Sequence, residues 1–278
     1  MTITTRALTG TVVVVGTAER LQPAADALAT VGESIGLRSI LISEGEHAAP
    51  PARVDGNTTF IAGLAPRFLN NAVAALRLSS LPALVWWRGG SVEALDDLAD
   101  LADRLVLDVE APEEVWPQAE ALFARTALTD IRWTRLTRWR SALAHIFDLP
   151  QVHEAANAFQ QVTIEAADVD AARLFAGWLR SRLHWTASTS ISITRASGSS
   201  GPSPLSKVAL EGPNVWIAME VNAESRCLAA RVDGVDGSAR IVPLSDGSLA
   251  TLIAEELGVR TRDWAFEEAL VAGREIHP

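Results

Sequence analysis

A single cysteine, Cys227, leaves no partner for an internal disulfide and rules out any multi-cysteine metal site. Only one lysine is present, Lys207, and tyrosine is absent altogether. The 24 basic residues are outweighed by 34 acidic ones, for a formal net charge of −10. A surface of that sign repels phosphate backbones, which argues against general nucleic-acid binding. No apolar run approaches the roughly 18 residues that cross a bilayer. The opening MTITTRALTG lacks a positive region followed by an apolar one, so no secretory signal is expected. With the lone thiol, this points to a reducing cytoplasm and no membrane partner.

What is present suffices for a large core: 48% of the 278 residues are hydrophobic. The first half alternates strand-like and helix-like segments. Val12 to Val15 is a β-branched run ending at Gly16, and Leu37–Ile42, Thr58–Ile61, Ala83–Trp87 and Leu105–Leu107 continue the series. Helical spacing separates them, as in Leu21, Ala25, Leu28, Val31 and Ile35. Two helices, about 113–127 and 132–147, close this half. Alternation of this kind implies parallel pairing with crossovers, an α/β Rossmann-like domain over 1–149. The second half, 150–278, reads as an α+β domain with an antiparallel sheet. Its strands are 159–164, 188–194, 207–210, 215–221, 227–232 and 239–242; its helices are 169–183, 248–257 and 262–273. Asp233-Gly234 and Asp236-Gly237 suit hairpin turns, and 196–204 is a Gly/Ser/Pro-rich loop.

Catalytic signatures are scarce. The turn after the first strand, Gly16-Thr-Ala-Glu-Arg20, lacks the glycines of G-x-G-x-x-G, and no phosphate loop surrounds Lys207, so no cofactor is expected. Gly32-Glu-Ser34-Ile-Gly36 matches G-x-S-x-G, but a helix precedes it and a strand follows, the reverse of a nucleophile elbow. His47, His145, His153, His184 and His277 show no i, i+4 pairing, and no metal site is expected. Glu93, Asp96, Asp97, Asp100 and Asp103 read as the solvated face of a helix whose buried stripe is Leu95, Leu98, Leu101 and Leu105. Cys227, within a strand, reads as packing.

Two segments stand apart. In Leu81–Gly90, Trp86 and Trp87 are adjacent strand residues and point to opposite faces. One is expected in the core, and the other against a second layer, a cleft or solvent, near the edge. They and Arg88 fall at the carboxyl end of a parallel strand, where ligands bind in open α/β sheets. In Asp130–Arg140, Arg132, Arg135, Arg138 and Arg140 place four positive charges in nine residues without an acid between them. Trp139 and Trp133 are interleaved, and Trp and Arg are enriched at interface hot spots.

At these residues the sequence resembles the glucose-6-phosphate dehydrogenase assembly protein (OpcA) family. The resemblance rests on LPALVWWRGG at 81–90, ADRLVLD at 102–108, DIRWTRLTRWRSALAHIFD at 130–148 and ARLFAGWLRSRLHW at 172–185. It implies a non-catalytic assembly factor or allosteric activator whose partner is glucose-6-phosphate dehydrogenase. Trp86, Trp87, Arg88, Arg132, Arg135, Arg138 and Trp139 are then the candidate partner contacts. Photosynthetic relatives are linked to thiol control, which a lone Cys227 does not support through an internal disulfide. A second reading is a sugar-phosphate-binding sensor or enzyme, with Arg88 as the anion clamp; a third is a structural scaffold in another complex.

Overall fold

The computed structural model describes residues 7–48, 50–186, 189–196, 203–222, 224–235 and 238–277. The Asp236-Gly237 turn, most of the 196–204 loop and the first six residues lie outside them. No helix among the described residues is long and apolar enough to cross a membrane.

The valine run forms β1 (Gly10–Gly16), and its dipeptide period places alternate side chains on opposite faces. Val12 and Val14 face helix α1 (Ala18–Gly32), while Val13 and Val15 are just as buried on the other side. A sheet covered on both faces buries every residue of a central strand, as observed here for Gly10–Gly16, Thr11 included. Strands β2 (Leu37–His47), β4 (Thr58–Leu64), β5 (Ala83–Trp87), β6 (Arg104–Leu107) and β7 (Ala127–Asp130) join β1 in parallel. A short β3 (Ala52–Asp55) pairs antiparallel at one edge. The order is β3-β4-β2-β1-β5-β6-β7, doubly wound outward from β1. The expected Rossmann-like class is thus seen. Between the strands run α2 (Leu69–Leu76), α3 (Val92–Ala99) and α4 (Trp116–Leu122).

The molecule forms two compact units: Met1–Ile131 with Ser248–Asp263, and Arg132–Gly247 with Trp264–Pro278. This line differs from the division expected at 149/150. Helix α9 (Leu249–Gly258) returns to the first unit, where Leu252 and Ile253 cover the sheet beside α1. The expected helix 132–147 is two helices, α5 (Ile131–Arg135) and α6 (Thr137–Phe147), joined at Leu136. Trp139 on α6 packs edge-on against Phe175 and donates to Ser203, both in the second unit. Helical periodicity carries no record of which core its apolar stripe will join.

The second unit continues with α7 (Pro150–Glu154), β8 (Gln161–Ala166), α8 (Val169–Arg182), β9 (Ser190–Arg195), β10 (Leu205–Glu211), β11 (Trp216–Asn222), β12 (Cys227–Val232), β13 (Arg240–Pro243) and α10 (Trp264–Arg274). Its sheet runs β13-β12-β11-β10-β8-β9. All pairings are antiparallel except β8–β9, which is parallel. The exception follows from chain connection: α8 lies between those two strands, and a helical crossover returns the chain in the same direction. Asp168 caps α8 by accepting from the Asp170 and Ala171 N–H groups at 3.1 Å each. Gly177 and Gly273 let α8 and α10 approach closely; a Cβ on either would strike backbone of the opposite helix.

Candidate functional site: a closed crevice at the carboxyl edge of the parallel sheet

In an open α/β sheet, the crevice opens where strand order reverses, beyond the carboxyl ends of the central strands. Here that place lies beyond β1, β5 and β6. A dinucleotide would need bare backbone there, because its pyrophosphate must approach the first helix N-terminus. At that edge the chain sets Arg88, Asp108 and Arg20 against one another. The Arg88 N–H donates to Val15 O at 2.7 Å, carrying β5 past Trp87. Its Cβ lies so near Gly16 that a side chain there would press against it at 3.1 Å. The Arg88 guanidinium donates from Nε to Asp108 Oδ2 at 2.8 Å and from Nη1 to Arg20 O at 2.6 Å, in the first turn of α1.

Asp108 is the hub. It follows β6 directly, and its N–H donates to Trp87 O at 2.8 Å. Its carboxylate also accepts from Trp86 Nε1 at 3.1 Å and from Arg20 Nη2 at 3.2 Å. Arg20 donates to the Asp108 carbonyl at 2.8 Å and lies 3.5 Å from the exposed Glu110 carboxylate. The Arg88 cation lies over the Trp86 ring, 4.8 Å from its centroid. Two cations and two carboxylates cancel, and the hydrogen-bonding fork of Arg88 points into the protein. Helix α1 follows Thr17, which forms no side-chain cap, and the Arg88 guanidinium reaches its first turn through the Arg20 carbonyl.

Beside this network the turn Gly89–Gly90 holds φ of 124° and 131°, values open to glycine. Gly90 lies against Glu44, whose carboxylate accepts from Ser91 N–H at 2.9 Å. The second Glu44 oxygen is buried without a partner. Burial raises the Glu44 pKa above its ordinary value, opposed by the Ser91 bond and aided by nearby Glu93.

Of the alternatives expected for the tryptophan pair, the second layer is the one seen, not an edge, cleft or solvent. Trp86 and Trp87 do point to opposite faces, yet both are buried, at 0% and 1% exposure. Neither meets solvent because helices cover both sides. Each removes about 150–250 Å² from water, worth about 4–6 kcal/mol gross. Trp139 is also fully buried. Arg132 is nearly so and pairs with Asp168 at 3.1 Å. Arg140 lies over the Trp133 ring at 3.6 Å and donates to Trp133 O. Of the arginines in 132–140, Arg138 is exposed and Arg135 half-buried. The candidate residues therefore fall into two groups: Trp86, Trp87 and Arg88 in the first unit, and Arg132, Arg135, Arg138 and Trp139 in the second.

Arg20 and Asp108 escaped the sequence reading. A carboxylate directly after the apolar run Leu105–Leu107 was the available signal, since that position falls at the carboxyl edge. The acidic residues of α3 are a solvated face, with Asp96 and Asp100 held by Arg125. Gly32 ends α1 and β2 begins at Leu37, so Ser34 occupies a helix-to-strand turn.

Residues 126–270, just over half the chain, match the family described as the C-terminal domain of the glucose-6-phosphate dehydrogenase subunit OpcA. The chain belongs to the OpcA family. A protein of Synechocystis sp. named OxPP cycle protein OpcA is 31% identical over 128 residues. A protein of the same name from Nostoc punctiforme is 29% identical over 126 residues. Each match covers 42% of this chain but 27% of the relative, so the shared segment spans about a quarter of those proteins. Among solved structures, aldose-aldose oxidoreductase from Caulobacter crescentus, complexed with glycerol, gives a TM-score of 0.52 at 10% identity, covering 95% of both chains. An oxidoreductase from Sinorhizobium meliloti gives 0.51 at 11% identity, covering 96% of this chain and 87% of that one. At such identities the likeness establishes the fold alone.

Proposed function

We propose that this OpcA-family chain is a non-catalytic partner of glucose-6-phosphate dehydrogenase, acting as an assembly factor or allosteric activator in the oxidative pentose phosphate pathway. The observation that carries the reading is the closed crevice. Arg88, Asp108 and Arg20 hold one another at the carboxyl edge of the sheet, the position at which open α/β sheets bind ligands, and this supports a role other than cofactor binding there. The family description, which names a glucose-6-phosphate dehydrogenase subunit, supports the dehydrogenase as partner, and the relatives' names support the oxidative pentose phosphate cycle.

The same geometry weighs against the sugar-phosphate reading. An anion clamp needs a guanidinium free to receive a phosphate, whereas Arg88 is buried and neutralised by Asp108. Arg138 and Arg135 on the α5–α6 segment remain the proposed direct contacts. The buried Trp86, Trp87 and Trp139 would act by fixing the surfaces above them, and Arg132 by holding α5 to the start of α8.

The test mixes the purified chain with glucose-6-phosphate dehydrogenase from the same cell. A shift in the enzyme's kcat or KM, or in its oligomer size on gel filtration, is expected. If kinetics and elution both stay unchanged, the proposal fails. A thermal-shift screen with sugar phosphates and NAD(P) should show no stabilisation of the chain alone.

A further inference from the structure

In the second unit, one face of the sheet is buried throughout, and the other is open or half-open apart from Ala209 and Ala218, which are 7% and 8% exposed. Val162 and Ile164 of β8, Val208 and Leu210 of β10, Ile217 and Met219 of β11, and Leu228 and Ala230 of β12 are buried on one face. Helices α6 and α8 pack against these strands. The interposed residues form the opposite face. Register places Lys207 between Glu220 on β11 and Glu165 on β8, and Ala218 between Ala209 and Arg231. Glu220, Ala229 and Arg231 are exposed, and Glu165 and Lys207 half-buried. At the edge, Ile241 of β13, opposite Ala229, is 75% exposed.

Two features give this face its character. Its centre is flat, because Ala209 and Ala218 carry only methyl groups. Its charges are nearly balanced and unspent: none of Glu165, Lys207 or Glu220 forms an ion pair among the described residues. Glu165, Lys207, Glu211, Glu220 and Arg231 sum to −1, close to neutral in a chain whose net charge is −10. The sole lysine of the sequence, Lys207, lies beside that centre, two residues from Ala209 on β10.

We propose that this sheet face is the contact between two copies of the chain, related by a two-fold axis. An isologous contact needs one patch that complements itself. A patch with both signs interleaved around a flat centre can set the cations of one copy over the carboxylates of the other. A partner selected by charge alone would favour a single-signed patch instead. Near-balance also reduces the repulsion that two acidic chains meet elsewhere. Six strands about 4.8 Å apart and about 20 Å long project roughly 500 Å². With side-chain relief this approaches the roughly 800 Å² per partner of a standard interface.

Sedimentation equilibrium on the full chain without the dehydrogenase tests the proposal. Twice the single-chain mass is expected at micromolar concentration. Ala218→Arg should weaken the dimer at least ~100-fold, since like charges then meet across the axis. Should Ala218→Arg lose its fold by circular dichroism, a charge swap decides. Lys207→Glu and Glu220→Lys should each weaken self-association, and their equimolar mixture should restore a dimer. A single-chain mass throughout the concentration range overturns the proposal. So does a dimer that neither Ala218→Arg nor the charge reversals disturb. A monomer that needs this face only to bind the dehydrogenase also overturns it, while leaving the proposed function intact.

Discussion

Asp108→Ala is the sharpest probe of the closed crevice. Asp108 accepts from Arg88, Trp86 and Arg20 at 2.8, 3.1 and 3.2 Å, and the side chains of Arg88 and Asp108 are 7% and 11% exposed. Removing the carboxylate takes from the buried Arg88 cation its charge partner, while the Arg20 carbonyl and the Trp86 ring stay among its contacts. Breaking one side of such a buried pair costs about 3–5 kcal/mol. For a unit of this size, that corresponds to roughly 6–20 °C in Tm. The second arm is the double variant Asp108→Leu, Arg88→Met. Replacing a buried pair by apolar groups of similar volume is close to neutral, so most of the loss should return. Urea unfolding followed by tryptophan fluorescence reads both, and with the single variants Asp108→Leu and Arg88→Met the cycle closes and yields the coupling energy. A loss below about 1 kcal/mol in the single variant, or additive losses in the double, would refute a tight buried network.

Three further outcomes are expected. Arg138→Glu should leave stability within about 0.5 kcal/mol, because the side chain is exposed, yet reduce capture of the dehydrogenase in a pull-down; full capture by that variant would remove Arg138 from the contacts. Gly177→Ala forces a methyl group into backbone of α10 and should cost at least about 1–3 kcal/mol by urea denaturation; an unchanged midpoint would show that the two helices separate freely. For Glu44→Gln the sign follows from burial. A carboxyl whose folded pKa is raised binds its proton more tightly when folded, so wild type loses stability as pH climbs from the ordinary carboxylate range through the raised value. The amide should therefore raise Tm at pH 7, with the gain fading as pH falls through that window; a pH-independent difference in thermal scans would contradict this.

The first unit was legible because its signals are local. The valine run, the helical stripe Leu21–Ile35 and the apolar Ala83–Trp87 carry their own periods, and alternation of the two periods specifies parallel pairing. Local reading failed where pairing was long-range. Ala127–Asp130 is four residues between helices and becomes a strand because β6 offers an open edge. The 149/150 break looked like a boundary by its proline, yet α6 joins the second unit through Trp139.

The sequence by itself determined the class of both layers, the missing phosphate-binding glycines and the family resemblance, because each is written in residue types at fixed spacing. Only the tertiary structure decided the fate of Trp86, Trp87 and Arg88. Whether a strand is covered on one face or two depends on where distant helices pack, and α9 returns from residue 249 to cover this one. Likewise, Arg88 reads as an anion clamp until Asp108, twenty residues on, is found neutralising it. The burial and pairing of a charge are properties of the folded neighbourhood, and no local pattern records them.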